Sequence, residues 1–154
     1  MISGTAAMLL CAGCATPVTL APVGPNPAAF QTSSGDGQLE VFSALSGHVE
    51  GNNPTWYRYS DYEICNERRH RMKHVQNSRG YYSQQPRVVT LSAGRYIVKA
   101  RAVGAVQVNV PVVIKPGELT AVHLDARWNP DTDASGTQLV KGPADYPVGW
   151  RADP

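Results

Sequence analysis

Positive charge is missing from the front of this chain. The first basic residue is Arg58, and all 14 Lys and Arg lie between residues 58 and 154. The chain is therefore unevenly mixed, and its front needs separate treatment. Charge is scarce throughout: only 17% of residues are Asp, Glu, Lys or Arg, and the formal net charge is +2. That balance argues against a dedicated nucleic-acid binder, which is usually far more basic. No apolar run approaches the roughly 20 residues of a membrane-spanning helix. No GxSxG nucleophile elbow and no HExxH zinc motif occurs. What is abundant is turn chemistry, with 14 Gly and 12 Pro in 154 residues. Low charge with many turn formers points away from a helical bundle and towards short strands. The length suits one domain.

Residues Thr5 to Cys14 read TAAMLLCAGC. A short apolar run ending in small residues is the pattern of a secretory signal. The sequence Ala12–Gly13–Cys14 resembles the lipobox of bacterial lipoproteins. The resemblance implies that residues 1–13 are a removable signal and that Cys14 becomes a lipidated N-terminus. It also implies a membrane as partner and a cell-envelope address. With Ala15 after the anchor, that address is the outer membrane facing the periplasm in a Gram-negative cell. Cys65 is then the one thiol of the mature chain that is free to react, so no intramolecular disulfide is expected. Its setting in DYEIC suggests a small buried residue, with a reactive thiol as the rival reading. Residues 14–37 hold four prolines and no Lys or Arg, and read as a flexible tether.

From Gln38 the apolar period is close to two. QLEVFSALSG places Leu39, Val41 and Ser43 on one face. TWYRYSDYEIC alternates aromatic and polar residues, and a slip near Asp61–Tyr62 reads as a bulge. NERRH reads as a hairpin tip, and RMKHV as its returning strand. GRYIVKARAV sets Tyr96, Val98, Ala100 and Ala102 inward and a basic face outward. In AVQVNVPVVI, Pro111 suggests an edge strand or a register break. KPGE has type II turn chemistry. LTAVHLDARW turns Thr120, Val122 and Leu124 inward. The sum is an all-β fold: a single antiparallel β-sandwich, prealbumin-like or Ig-like, of about seven strands over residues 38–128. Residues 129–154 read as an irregular tail packed on the domain, with QLV a short edge strand and Trp150 as the pin.

The pieces LSAGRY, VQVNVPVVI and KPGELTAVHL, within residues 88–124, resemble carboxypeptidase-regulatory-like and PEGA-type sandwich modules. The resemblance implies a non-catalytic unit for attachment, spacing or binding. It carries no catalytic residue and no cofactor.

The densest charge run is NERRHRMKH, residues 66–74. Arg68, Arg69, His70, Arg71 and Lys73, with Tyr57 and Tyr59 beside them in sequence, form a candidate patch for an anionic envelope polymer or glycan. Guanidinium groups offer bidentate donors, and tyrosine rings offer stacking area. Tyr62, Tyr81 and Tyr82 flank the same run. The competing reading is a solvated hairpin tip with tyrosines in the core. His70 and His74 on one strand lack enough further ligands for zinc. Asp131 and Asp133 lack the remaining positions of a calcium loop. No metal or catalytic residue is therefore assigned. The function expected is a non-catalytic, lipid-anchored structural or interaction module, meeting an envelope protein or an anionic polysaccharide and no nucleic acid. An unrecognised small hydrolase or metal-binding protein is the remaining alternative.

Overall fold

The computed structural model describes residues 16–27, 35–48, 51, 56–78, 84–130 and 138–152. Thirteen strands lie among them. The chain begins with β1 (Val18–Thr19), β2 (Val23–Gly24), β3 (Asp36–Phe42) and β4 (Leu45–His48). It continues with β5 (Trp56–Tyr59), β6 (Tyr62–Cys65), β7 (Arg71–Val75) and β8 (Val88–Ser92). Then come β9 (Gly94–Ala102), β10 (Val106–Ile114), β11 (Leu119–His123), β12 (Leu139–Lys141) and β13 (Pro147–Arg151). The helical content described is one 3₁₀ turn, Val103–Ala105, joining β9 to β10.

The strands form an all-β sandwich. The large sheet runs β12-β13-β2-β10-β9-β6-β7, with β1 also paired to β10. The small sheet runs β11-β3-β8, and β4 pairs with β5 in a separate ribbon. The inner faces follow from the period of two. From the small sheet, Leu39, Val41, Val89, Thr120 and Val122 point inward and are buried. From the large sheet, Ile64, Val98, Ala100, Ala102, Val108, Val110, Val112 and Ile114 meet them. β9 and β10 form the spine, in unbroken antiparallel register from Val106 opposite Ala102 to Ile114 opposite Gly94. The turn into β11 has the expected chemistry: Gly117 takes φ 71°, and the Glu118 amide donates to the Lys115 carbonyl at 3.2 Å.

Several sequence expectations are corrected. The sandwich is mixed, because β1 and β2 run parallel to β10, and β11 runs parallel to β3. Residues 16–27 are not a tether. Val18 and Thr19 pair with Val108 and Asn109, Val23 pairs with Val112, and Leu20 and Val23 enter the core. Their prolines (Pro17, Pro22, Pro25 and Pro27) all fall outside the two short strands, so none removes a donor from within β1 or β2. The tail is not irregular where it is described. β12 is the expected edge strand, but β13 joins it to β2, and Val140 and Val148 enter the core.

Pro111 lies in the interior of the sheet, opposite Ile97, without a break in register. The reason is local. The Asn109 carbonyl accepts the Leu20 amide, so alternation turns residue 111 towards the same side. There it falls between the pairing of β1 and the pairing of β2, where a missing N–H removes no ladder bond to β9. The slip at Asp61–Tyr62 is not a bulge. It is the place where the chain leaves the β4–β5 ribbon for the large sheet. The irregularity within this hairpin lies at Ile64/Cys65 instead.

Candidate functional site

The basic run folds as the sequence pattern predicts, into a hairpin of β6 and β7 at the edge of the large sheet. Asn66 closes its tip. The Asn66 amide donates to the His70 carbonyl at 3.0 Å, and its side-chain Oδ1 accepts the His70 amide at 3.0 Å. The Arg69 amide donates to the Asn66 carbonyl at 2.8 Å. Arg69 adopts φ 65°, a left-handed conformation that costs a non-glycine residue roughly 1–2 kcal/mol. A glycine would hold this turn more cheaply, so the guanidinium stands at its apex against the local backbone preference.

Arg68, Arg69, His70, Arg71 and Lys73 are all exposed. Within residues 66–74 four Lys and Arg face one carboxylate, Glu67. Two contacts run back along the hairpin: Arg71 Nη1 to Glu63 Oε1 at 3.2 Å, and His74 Nε2 to Asp61 Oδ2 at 3.4 Å. Arg68, Arg69 and Lys73 form no ion pair among the described residues. Residues 71–74 are exposed on both faces of β7, so this outer arm of the hairpin stands clear of the core, and Met72 is 60% exposed.

The two tyrosines assigned to this patch belong to another sheet, on β5. Tyr59 is buried, and its hydroxyl donates to Asp125 Oδ2 at 3.2 Å. Burial first, and then the Asp125 charge, push its pKa up to about 12. Tyr59 is a structural residue and offers no stacking face to the hairpin. Tyr57 is exposed on the ribbon. Tyr62 is buried in the core. Cys65 is buried and free, as its sequence setting suggests. Cys14, Tyr81, Tyr82, Asp131 and Asp133 lie outside the described residues. Among the described residues no group of three or more His, Cys, Asp or Glu is placed to hold a metal. None of their helices is long and apolar enough to cross a membrane.

Three features escape sequence reasoning. The first is an aromatic stack across the small sheet. The His123 ring lies between Phe42, at 4.4 Å and 15°, and Trp128, at 4.6 Å and 13°. Burial pulls the His123 pKa down to about 4, partly offset by Asp125. The second is Asn77, fully buried just after β7. Its Nδ2 donates to the Val41 carbonyl at 2.7 Å and to Ser43 Oγ at 2.9 Å, and its Oδ1 accepts the Arg87 amide at 3.0 Å. The third is a polar cleft of about 620 Å³ between the β4–β5 ribbon and the β9–β10 end of the large sheet. A single Asn in a turn-like string carries no signal of burial, and the cleft is assembled from five separate stretches of chain.

No protein-family description matches the chain, no curated protein is similar to it, and no solved structure is similar to it.

Proposed function

We propose that this chain is a non-catalytic interaction module of the cell envelope, held there by lipid on Cys14, whose β6–β7 hairpin binds an anionic envelope polymer. The observation that carries the reading is the tip itself. Arg68, Arg69 and Lys73 are exposed without ion pairs among the described residues, and Arg69 occupies a left-handed turn position. Unpaired guanidinium groups on a protruding edge can meet phosphate or carboxylate oxygens bidentately at low desolvation cost. The lipobox-like Ala12–Gly13–Cys14 supports the address, and the likeness of residues 88–124 to attachment and spacing modules supports the absence of chemistry. Two acyl chains or more suffice for stable anchoring.

Retention on immobilised lipopolysaccharide tests the hairpin. Reversing Arg68, Arg69 and Arg71 to Glu is expected to weaken retention at least tenfold, and added salt to weaken the unaltered protein steeply. Unchanged retention by the reversed hairpin at about 0.15 M salt sinks this reading. Membrane fractionation with intact-mass measurement tests the anchor. Cys14→Ser is expected to stay unprocessed and carry no lipid mass; a normal lipidated product overturns the assignment.

A further inference from the structure

We infer that the cleft beside the β4–β5 ribbon is a second binding site, for a short acidic saccharide. It lies at the opposite end of β7 from the hairpin tip. Arg71 to Gln76 spans a strand of roughly 17 Å, so the two surfaces do not share their charged residues.

The lining defines the ligand class. Arg58 and Arg101 face the cleft with one carboxylate, Asp61. Asp61 is already engaged: its Oδ1 accepts the Asn77 amide at 3.1 Å, and its Oδ2 lies 3.4 Å from His74 Nε2. Arg58 also has a partner, so the positive charge open to a ligand rests on Arg101. Arg101 is exposed and forms no ion pair among the described residues. Directly across the ladder stands Gln107, which also lines the cleft. Side chains opposite each other on antiparallel strands lie about 5 Å apart at Cβ. A guanidinium and a carboxamide are thus presented side by side. The guanidinium suits a carboxylate held by two parallel bonds. The carboxamides of Gln107 and Gln76 each both donate and accept, which suits sugar hydroxyls that do the same.

Ser60 lines the cleft as well, next to Asp61. A volume of about 620 Å³ lies within the usual range of small-molecule sites. Apolar ligands fit poorly, because the Tyr59 ring is packed edge-on against Phe42 and most of the remaining lining is polar.

Calorimetric titration of the full chain with trigalacturonate, and with neutral maltotriose as comparison, tests the site. Trigalacturonate is expected to bind with submillimolar Kd, and maltotriose at least tenfold more weakly. Arg101→Gln is expected to weaken trigalacturonate at least tenfold, with an unchanged thermal melt as the folding control. Reversal of Arg68, Arg69 and Arg71 is expected to leave that Kd within twofold. Absence of heat with trigalacturonate overturns the inference, as does equal binding of the neutral sugar. An unchanged Kd in Arg101→Gln also overturns it. Loss of trigalacturonate binding on hairpin reversal assigns the binding to the hairpin and removes the cleft as a site. Lipopolysaccharide retention compared between Arg101→Gln and the reversed hairpin separates the two surfaces, so either site can fail without the other.

Discussion

Replacing Asn77 by Ala removes three side-chain hydrogen bonds from a fully buried position, those to Val41, Ser43 and the Arg87 amide. Each is worth about 1 kcal/mol net. The consequences at the three partners differ. The Arg87 amide belongs to an exposed residue and can turn to water. The Val41 carbonyl belongs to a fully buried residue. A stranded buried acceptor adds a desolvation cost of about 1 kcal/mol or more. Water entering the vacated space offsets part of that. The expected loss is about 3 kcal/mol in all. For a chain of this size that is a fall of roughly 6–12 °C in Tm. In urea, with m near 2 kcal/mol/M, the midpoint falls by about 1.5 M. Tryptophan fluorescence reads the transition. The sequence neighbours Gln76 and Ser78 both line the cleft, and the Asn77 amide holds Asp61 there, so the same substitution should loosen one wall of that cleft. Asn77→Asp keeps an acceptor for Arg87 but turns an acceptor towards Val41, and is expected to be no better than Ala. A loss below about 1 kcal/mol in Asn77→Ala refutes the reasoning that these three buried hydrogen bonds stabilise the fold.

Two further outcomes follow from buried groups. The Tyr62 hydroxyl is buried with no partner among the described residues, so Tyr62→Phe is expected to stabilise the fold by about 1 kcal/mol, read as a higher urea midpoint; a lower midpoint would reveal a partner for that hydroxyl. His123 has a folded pKa near 4, below its ordinary 6.5, so the unfolded chain binds more protons in between. Its contribution is fully present above pH 6.5 and is lost as pH falls towards 4. The full shift corresponds to about 3 kcal/mol, and partial exposure of the ring reduces this to about 1–2 kcal/mol. Chemical denaturation between pH 7 and pH 4 should show that loss, and His123→Phe should flatten it.

Residues 88–124 are legible because alternation and turn chemistry agree there. Val98, Ala100 and Ala102 repeat every second residue, and Pro116–Gly117 marks the reversal. The inward set Leu39, Val41 and Ser43 is legible for the same reason, and all three are buried. The two-residue strands β1 and β2 are too short to show a period, and their prolines suggest the opposite. They become strands because β10 offers a free side for pairing. β13 contains Pro147 and Gly149, both poor strand formers by propensity. Packing explains the glycine: a Cβ at Gly149 would lie 2.9 Å from the Ala121 carbonyl of the facing sheet. Alternation places Tyr57 and Tyr59 on one face of their strand, but it cannot say to which sheet that strand belongs. The charge run and its hairpin are local in sequence and therefore readable. The cleft joins residues from 46 to 107 and is not.

The pairing of Val18 with Val108 alters how far the domain can travel from an anchor at Cys14. A tether running to residue 37 would span up to roughly 80 Å when extended. With β1 fixed in the sheet, the leash from residue 14 to residue 18 spans at most about 14 Å. A domain on so short a leash sweeps a thin layer above the bilayer. On the proposed anchor, its partners are those whose anionic groups lie within one domain's breadth of the lipid headgroups, and distant wall material is out of range.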